Sequence, residues 1–104
     1  MAEAMVMAEA AGIDAKRIPE CLTGGLADSP ILQRIYPRMV ARDFAPQGYA
    51  RQLLKDLEIV SAFAAEVKAP MPMTGEALNL YRLLVHLGHS ELDTAAVVKV
   101  FERD

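Results

Sequence analysis

A chain of 104 residues with 53% apolar content and a formal charge of −3 suits one small domain, with apolar surface left over once its own core is filled. The acidic balance, with a pI near 5.3, excludes a sequence-independent nucleic-acid binder, which needs a basic field to neutralise phosphates. The single cysteine, Cys21, excludes an intrachain disulfide, a thiolate zinc site and a redox pair, and suits a reducing cytoplasm.

Met1 to Ala11 consists of good helix formers and predicts a helix with Ala4, Met5, Ala8 and Ala11 on its inner stripe, stopped by Gly12. Glu3 and Glu9 punctuate it and no basic residues precede it, so it does not read as a signal peptide. Asp14 is placed to cap a second helix reaching Leu22 or Thr23, with Ile18, Cys21 and Leu22 inward and Gly24-Gly25 as the stop. Cys21 then reads as an inert buried thiol. Ser29-Pro30 is a cap followed by proline at the first helical position. Ile31, Leu32, Ile35, Tyr36, Met39 and Val40 supply the apolar face that follows. Pro37 removes a backbone bond to Gln33 and predicts a kink or two short helices. Arg38 and Arg42 read as a solvated face able to meet an anion.

Residues 42 to 48 predict a loop. From Tyr49 to Val67 the spacing of Leu53, Leu57, Val60, Ala64 and Val67, with Leu54 and Phe63 beside it, gives the longest helical signal in the chain. The linker from Lys68 to Pro72 predicts a non-helical break, and Thr74 is placed to cap a helix bearing Ala77, Leu80, Tyr81, Leu84 and Leu87 up to Gly88. Met71 and Met73 suit a domain or subunit contact. Asp93 or Ser90 caps the last helix, which carries Ala96, Val97, Val100 and Phe101. No segment alternates strictly as a half-buried strand would, and no apolar run approaches the roughly eighteen residues of a membrane span. The expectation is one all-α domain over 1–104, with about six helices in a compact bundle.

Lysine and carboxylate side by side, Lys55-Asp56, stand just inside the long helix, behind a loop containing Asp43-Phe44-Ala45-Pro46. An ammonium there can neutralise a phosphate or hydrogen-bond a ribose, provided that its helix end faces a cleft. Spacing alone favours a plainer reading, a solvated Lys55 pairing with Glu58 at i,i+3. For Asp56 the plainer reading is a first-turn acid that complements the helix dipole. His86 and His89 lie on either side of a helix-ending Gly88 with no third histidine or thiolate, so they read as solvated turn residues and no metal is expected.

Several segments in order carry a resemblance that spans nearly the whole chain. They are Met7-Ala8-Glu9-Ala10-Ala11-Gly12-Ile13-Asp14, Leu22-Thr23-Gly24-Gly25 with Ser29, Pro37-Arg38-Met39, Asp43-Phe44, Lys55-Asp56-Leu57, Pro70-Met71-Pro72, Tyr81, and Gly88-His89-Ser90-Glu91-Leu92-Asp93. Together they resemble the C-terminal domain of the 3-hydroxyisobutyrate dehydrogenase (β-hydroxyacid dehydrogenase) family, related to that of 6-phosphogluconate dehydrogenase. The resemblance implies an all-helical domain that follows an N-terminal Rossmann domain, closes one side of a cleft for NAD or NADP and a small hydroxy acid, and helps a homo-oligomer (dimer or tetramer) assemble. It implies that Lys55 lies near the dinucleotide and that Asp56 and Tyr49 lie on the substrate side. The family's catalytic lysine motif and its G-x-G-x-x-G fingerprint have no counterpart here, so no catalytic residue is expected in this chain and none of its own activity. Two positions depart from the pattern. Gly48 stands where many members carry an aromatic, the ring arriving one residue later as Tyr49, and Thr94-Ala95 stands where an aromatic and serine are common. The alternative is a free-standing helical module for self-association or partner binding, without catalysis. In either case the partners expected are neither nucleic acid nor membrane.

Overall fold

A computed structural model describes residues 1–103. Five α-helices form: α1 (Ala2–Ala10), α2 (Ile18–Leu22), α3 (Pro30–Ala41), α4 (Ala50–Glu66) and α5 (Pro72–His86). A 3-10 turn, Ala15–Arg17, runs into α2, and a 3-10 run, Thr94–Val100, ends the fold. The all-α reading is borne out. The Asp14 and Ser29 caps form as expected: Lys16 N–H donates to Asp14 Oδ1 at 3.2 Å and Leu32 N–H to Ser29 Oγ at 3.0 Å.

The centre of the fold is the C-terminal 3-10 run. Four successive residues, Ala95 to Val98, are buried, which requires neighbours on every side, and α1, α3, α4 and α5 all pack against it. The helix expected here is 3-10 rather than α. Val97, Val98 and Val100 are β-branched and poor α-formers, and Asp93 Oδ2 accepts the Ala95 N–H at 2.9 Å to start the run. Met5, Tyr36 and Leu84 are the other large side chains fully buried in this core.

Helix α1 docks through Ala2, Met5 and Ala8, not through the expected Ala4 and Ala11, which are exposed. Alanine recurs on every side of that helix, so the pattern carries no phase. Helix α3 buries Leu32, Tyr36 and Met39, and Ile31 is left outside. It runs as a single helix through Pro37, so of the kink or two short helices expected there, the two short helices are not formed. Pro37 and Gln33 are both exposed, so the carbonyl freed at Gln33 can be hydrated rather than orphaned. In the second segment Pro19 is buried and Cys21 is exposed, contrary to the buried thiol expected from sequence. Helix α5 starts at Pro72 with Met71 as N-cap, so Thr74 lies inside the first turn. Proline needs no N–H at N1 and fits there without cost.

Tyr36 fixes α3 to the first 3-10 turn, its hydroxyl donating to Ala15 O at 2.8 Å in the core. Tyr36→Phe is expected to lower stability by about 0.5–1.5 kcal/mol, the net worth of one such bond. Urea denaturation should show a lower midpoint at unchanged m, and an unchanged midpoint would contradict the bond's contribution.

Helices α4 and α5 pair as an antiparallel hairpin that reaches away from the core. The radius of gyration is 14.7 Å, above the ~13 Å of a compact domain of this length. Ile59 and Phe63 on α4 with Val67 at its C-cap, and Leu83 on α5 with Leu87 at its C-cap, are exposed, Phe63 at 62%. The inner stripe expected for α4 is therefore only partly inner: Ala64 is buried, whereas Val60, Phe63 and Val67 face out. Leu87, expected inside α5, is exposed as well.

Candidate functional site

The first turn of α4 is built against the turn before the final 3-10 run. Ala50 N–H donates to Leu92 O at 2.8 Å and Arg51 N–H to Ser90 O at 3.1 Å, so two helix-start donors that normally lack partners are satisfied by another segment. Tyr49 N–H is taken by the Gln52 side chain at 3.3 Å. The Arg51 guanidinium stacks over the Tyr49 ring, 4.6 Å from its centroid, and pairs with Glu91 at 2.9 Å.

Behind that helix start, Asp93 gathers the 43–48 loop. It is 1% exposed, and its Oδ1 accepts Gln47 N–H at 2.8 Å and Gly48 N–H at 3.2 Å. The backbone doubles the connection: Asp93 N–H donates to Phe44 O and Thr94 N–H to Gly48 O, both at 3.0 Å. Arg38 Nη1 lies 3.2 Å from Asp93 Oδ1, and Arg38 Nη2 donates to Ala45 O. The Arg38 side chain is 13% exposed, so the solvated face expected for it is corrected. Pairing with Asp93 under the loop outweighs hydration for this guanidinium. Arg42 is not open to an anion either. Its fork is held by Glu9 at 3.0 Å through both nitrogens and its Nε by Glu102 at 2.8 Å.

Burial by itself pushes the Asp93 carboxyl up, but the Ala95, Gln47 and Gly48 N–H donors and Arg38 outweigh it and hold it below the usual 3.8. Its neighbour Tyr81 donates to Thr94 O at 2.9 Å. Burial and the Asp93 charge push that phenol up to about 12, so it stays a donor at neutral pH. A carboxylate depressed in the folded state contributes stability above its unfolded value, about 3.9, and loses it as pH falls through the lower folded value. Thermal denaturation should therefore hold steady from this group down to about pH 4 and fall below it, with Asp93→Asn removing part of that slope. An identical slope in the variant would contradict the assignment.

Lys55 and Asp56 project from the second turn of α4, each about two-thirds exposed, with Lys55 Nζ 3.9 Å from Asp56 Oδ1. The pairing of Lys55 with Glu58 that spacing suggests is absent among the described contacts. Asp56 is not a first-turn acid, so the dipole reading for it falls. Tyr49 stands at the N-cap, about 9 Å back along the axis at 1.5 Å per residue, with its ring under Arg51. The structure thus sets Lys55 and Asp56 side by side and keeps Tyr49 at the base of the same helix. The Arg38–Asp93 pair was not found from sequence. The only available signal was Asp93 as a cap, and nothing local joins it to Arg38. A surface groove of about 850 Å³ lies elsewhere, between Val6, Glu9, Arg42, Phe101, Glu102 and Arg103, and its acids Glu9 and Glu102 are already engaged by Arg42. Among the described residues no group of three His, Cys, Asp or Glu could hold a metal ion, and no helix is long and apolar enough to cross a membrane.

The sequence pattern of the family described as NAD-binding of NADP-dependent 3-hydroxyisobutyrate dehydrogenase matches residues 1–101. The chain is 36% identical to the probable 3-hydroxyisobutyrate dehydrogenase-like 2, mitochondrial, of Arabidopsis thaliana, over 99% of this chain and 33% of that protein. It is 32% identical to the 2-hydroxy-3-oxopropionate reductase of Escherichia coli K12, over 98% of this chain and 35% of that one. The crystal structure of 3-hydroxyisobutyrate dehydrogenase from Salmonella typhimurium superposes with a TM-score of 0.90 at 29% identity, covering 96% of this chain and 35% of that chain. The chain spans about a third of the length of these relatives.

Proposed function

Since the chain belongs to the family of NAD-binding domains of 3-hydroxyisobutyrate dehydrogenases, we propose that it is the C-terminal, cleft-closing domain of an NAD(P)-dependent dehydrogenase acting on a short 3-hydroxy acid or semialdehyde. The observation that carries this reading is the alignment of essentially the whole chain with one third of such enzymes, and with a solved one at a TM-score of 0.90. The kinship with the C-terminal domain of 6-phosphogluconate dehydrogenase belongs to the same reading, as do a cytoplasmic setting and a homo-oligomer. The exposed apolar residues of α4 and α5 support assembly of some kind.

The nicotinamide cofactor supplies the hydride chemistry when bound. This chain's part is to bind and orient. Lys55, exposed and 3.9 Å from Asp56, lies beyond hydrogen-bond distance of its neighbour and keeps its donors for a phosphate or ribose. One such ammonium suffices for a dinucleotide, even on a chain of net charge −3. Asp56 and Tyr49 take the substrate side, and Asp56 acts there as an acceptor for a hydroxyl. The general acid/base is a lysine on a helix outside these residues, and the pyrophosphate is held by a Rossmann domain, so the 104 residues alone are expected to be inactive. A free-standing association module is the second reading, favoured by the same apolar α4–α5 face.

Reading the coding sequence upstream of the Met1 codon tests the choice. An in-frame strand, glycine fingerprint and lysine-bearing helix are expected. A stop codon directly upstream would overturn the dehydrogenase reading and leave the association module.

A further inference from the structure

Among the described residues no side-chain hydrogen bond or further ion pair ties Lys55 and Asp56 to the rest of the fold: both are two-thirds exposed, and their charged ends approach each other at 3.9 Å. Their placement is inherited from α4, and the placement of α4 is inherited from how its first turn is tied. That turn is held at Ala50 and Arg51 by the carbonyls of Leu92 and Ser90. The loop entering it is held at Gln47 and Gly48 by the Asp93 carboxylate, and at Ala45 by Arg38. The same carboxylate also begins the buried 3-10 run through Ala95. One side chain thus joins the core to the entry of the helix that carries the exposed pair.

We propose that Arg38 and Asp93 are positioning residues for the Lys55–Asp56 pair, a buried charge clasp that fixes the 43–48 loop and with it the direction in which α4 presents that pair to a dinucleotide. The assignment to a dinucleotide rests on the function proposed above; the clasp itself rests on this chain's contacts. Its chemistry is a division of labour. Backbone N–H groups occupy the Asp93 oxygens, so Arg38 acts on Asp93 chiefly as compensating charge: Nη1 is 3.2 Å from Oδ1, yet Nε and Nη1 are buried without a well-directed hydrogen bond. Asp43, 3.7 Å from Arg38 and about half exposed, brings a second carboxylate to the same guanidinium from the start of the loop. The groups that face Arg38 are therefore those of the loop it restrains and of the turn that receives it.

Loss of the clasp should loosen the loop without unfolding the core. In the 104-residue chain, Arg38→Lys, which keeps the compensating charge, should accelerate amide hydrogen exchange at Gln47 and Gly48 by about tenfold or more while leaving the slowest amides of α3 and α5 near their original rates, and Asp93→Asn should accelerate the loop amides further while also speeding the slowest amides through its loss of global stability. In a complete dehydrogenase carrying this domain, Asp93→Asn should raise the KM for the dinucleotide by about three- to fivefold, no more than Lys55→Ala does by itself, and by less than about 1.5-fold when Lys55→Ala is already present. That loss of additivity is a signature that a general destabilisation would not give. Equal acceleration at every amide in both variants, or an undiminished KM effect in the Lys55→Ala background, would overturn the clasp. If Lys55→Ala left the dinucleotide KM unchanged, the cofactor reading would fall and take the positioning role with it, whereas additive effects of the two substitutions would remove the clasp alone.

Discussion

Asp93→Ala is expected to cost the domain about 3–5 kcal/mol, the range for removing one partner of a buried ion pair. A domain of this size has only about 5–15 kcal/mol in total, so the variant should be near its unfolding threshold at room temperature. Alanine strips the Gln47, Gly48 and Ala95 N–H groups of their acceptor and leaves the Arg38 guanidinium, 13% exposed, without its nearest charge. Asp43 cannot replace it, being 3.7 Å away and over half exposed, where water screens most of the attraction. Adding Arg38→Met should restore part of the loss, because the uncompensated charge goes while an apolar stem of similar length remains. Denaturant titration of the four species of this cycle reads the coupling. Strict additivity would show that the two residues contribute independently and that the pair is not a unit.

What sequence made legible follows from how local each feature is. The N-caps Asp14, Ser29 and Asp93, the Gly12 and Gly88 stops, and the break at Pro70 are written within four or five residues, and each stands where spacing put it. The phase of α1 was not written, because alanines on all sides give a helix no preferred face. The ends of α3 and α4 stand within a residue of where the sequence put them, but their backbone conformation was not written: Arg42 and Lys68 adopt left-handed φ of 53° and 58°, for which glycine or asparagine is the usual signal. Nor was the grip of Glu9 and Glu102 on the Arg42 guanidinium, which joins segments far apart in the chain. The same distance concealed the Arg38–Asp93 pair, whose members belong to α3 and to the turn after α5. Local pattern located Lys55 and Asp56 on their helix, one turn further in than the first-turn placement assumed for Asp56. It misjudged the outward face of that helix, since Phe63 and Val67 match core spacing yet face out. Amphipathic periodicity says that a face is apolar and leaves open which surface covers it.

Reversal of charge at Lys55 gives the second large effect. In a complete dehydrogenase carrying this domain, Lys55→Glu should raise the dinucleotide KM by about 10- to 100-fold, since a charge-assisted hydrogen bond is worth about 1.5–3 kcal/mol and each 1.4 kcal/mol is a factor of ten. Lys55 is 67% exposed, so screening places the effect toward the lower end, and it should shrink further as salt rises. Lys55→Ala should give a smaller increase with less salt dependence, because it removes a donor without adding repulsion. Neither change should move the stability of the 104-residue chain by more than about 0.5 kcal/mol, since the side chain is two-thirds exposed and its one ion pair, to Asp56, spans 3.9 Å. Asp56→Asn separates the two halves of the pair. A carboxylate serving the substrate should raise the hydroxy-acid KM on removal, whereas one that only tempers the lysine's charge should lower the dinucleotide KM instead. If all three variants kept wild-type kinetics at limiting cofactor and limiting substrate, Lys55 and Asp56 would be surface charges, and the exposed apolar face of α4 and α5 would remain as that hairpin's functional surface.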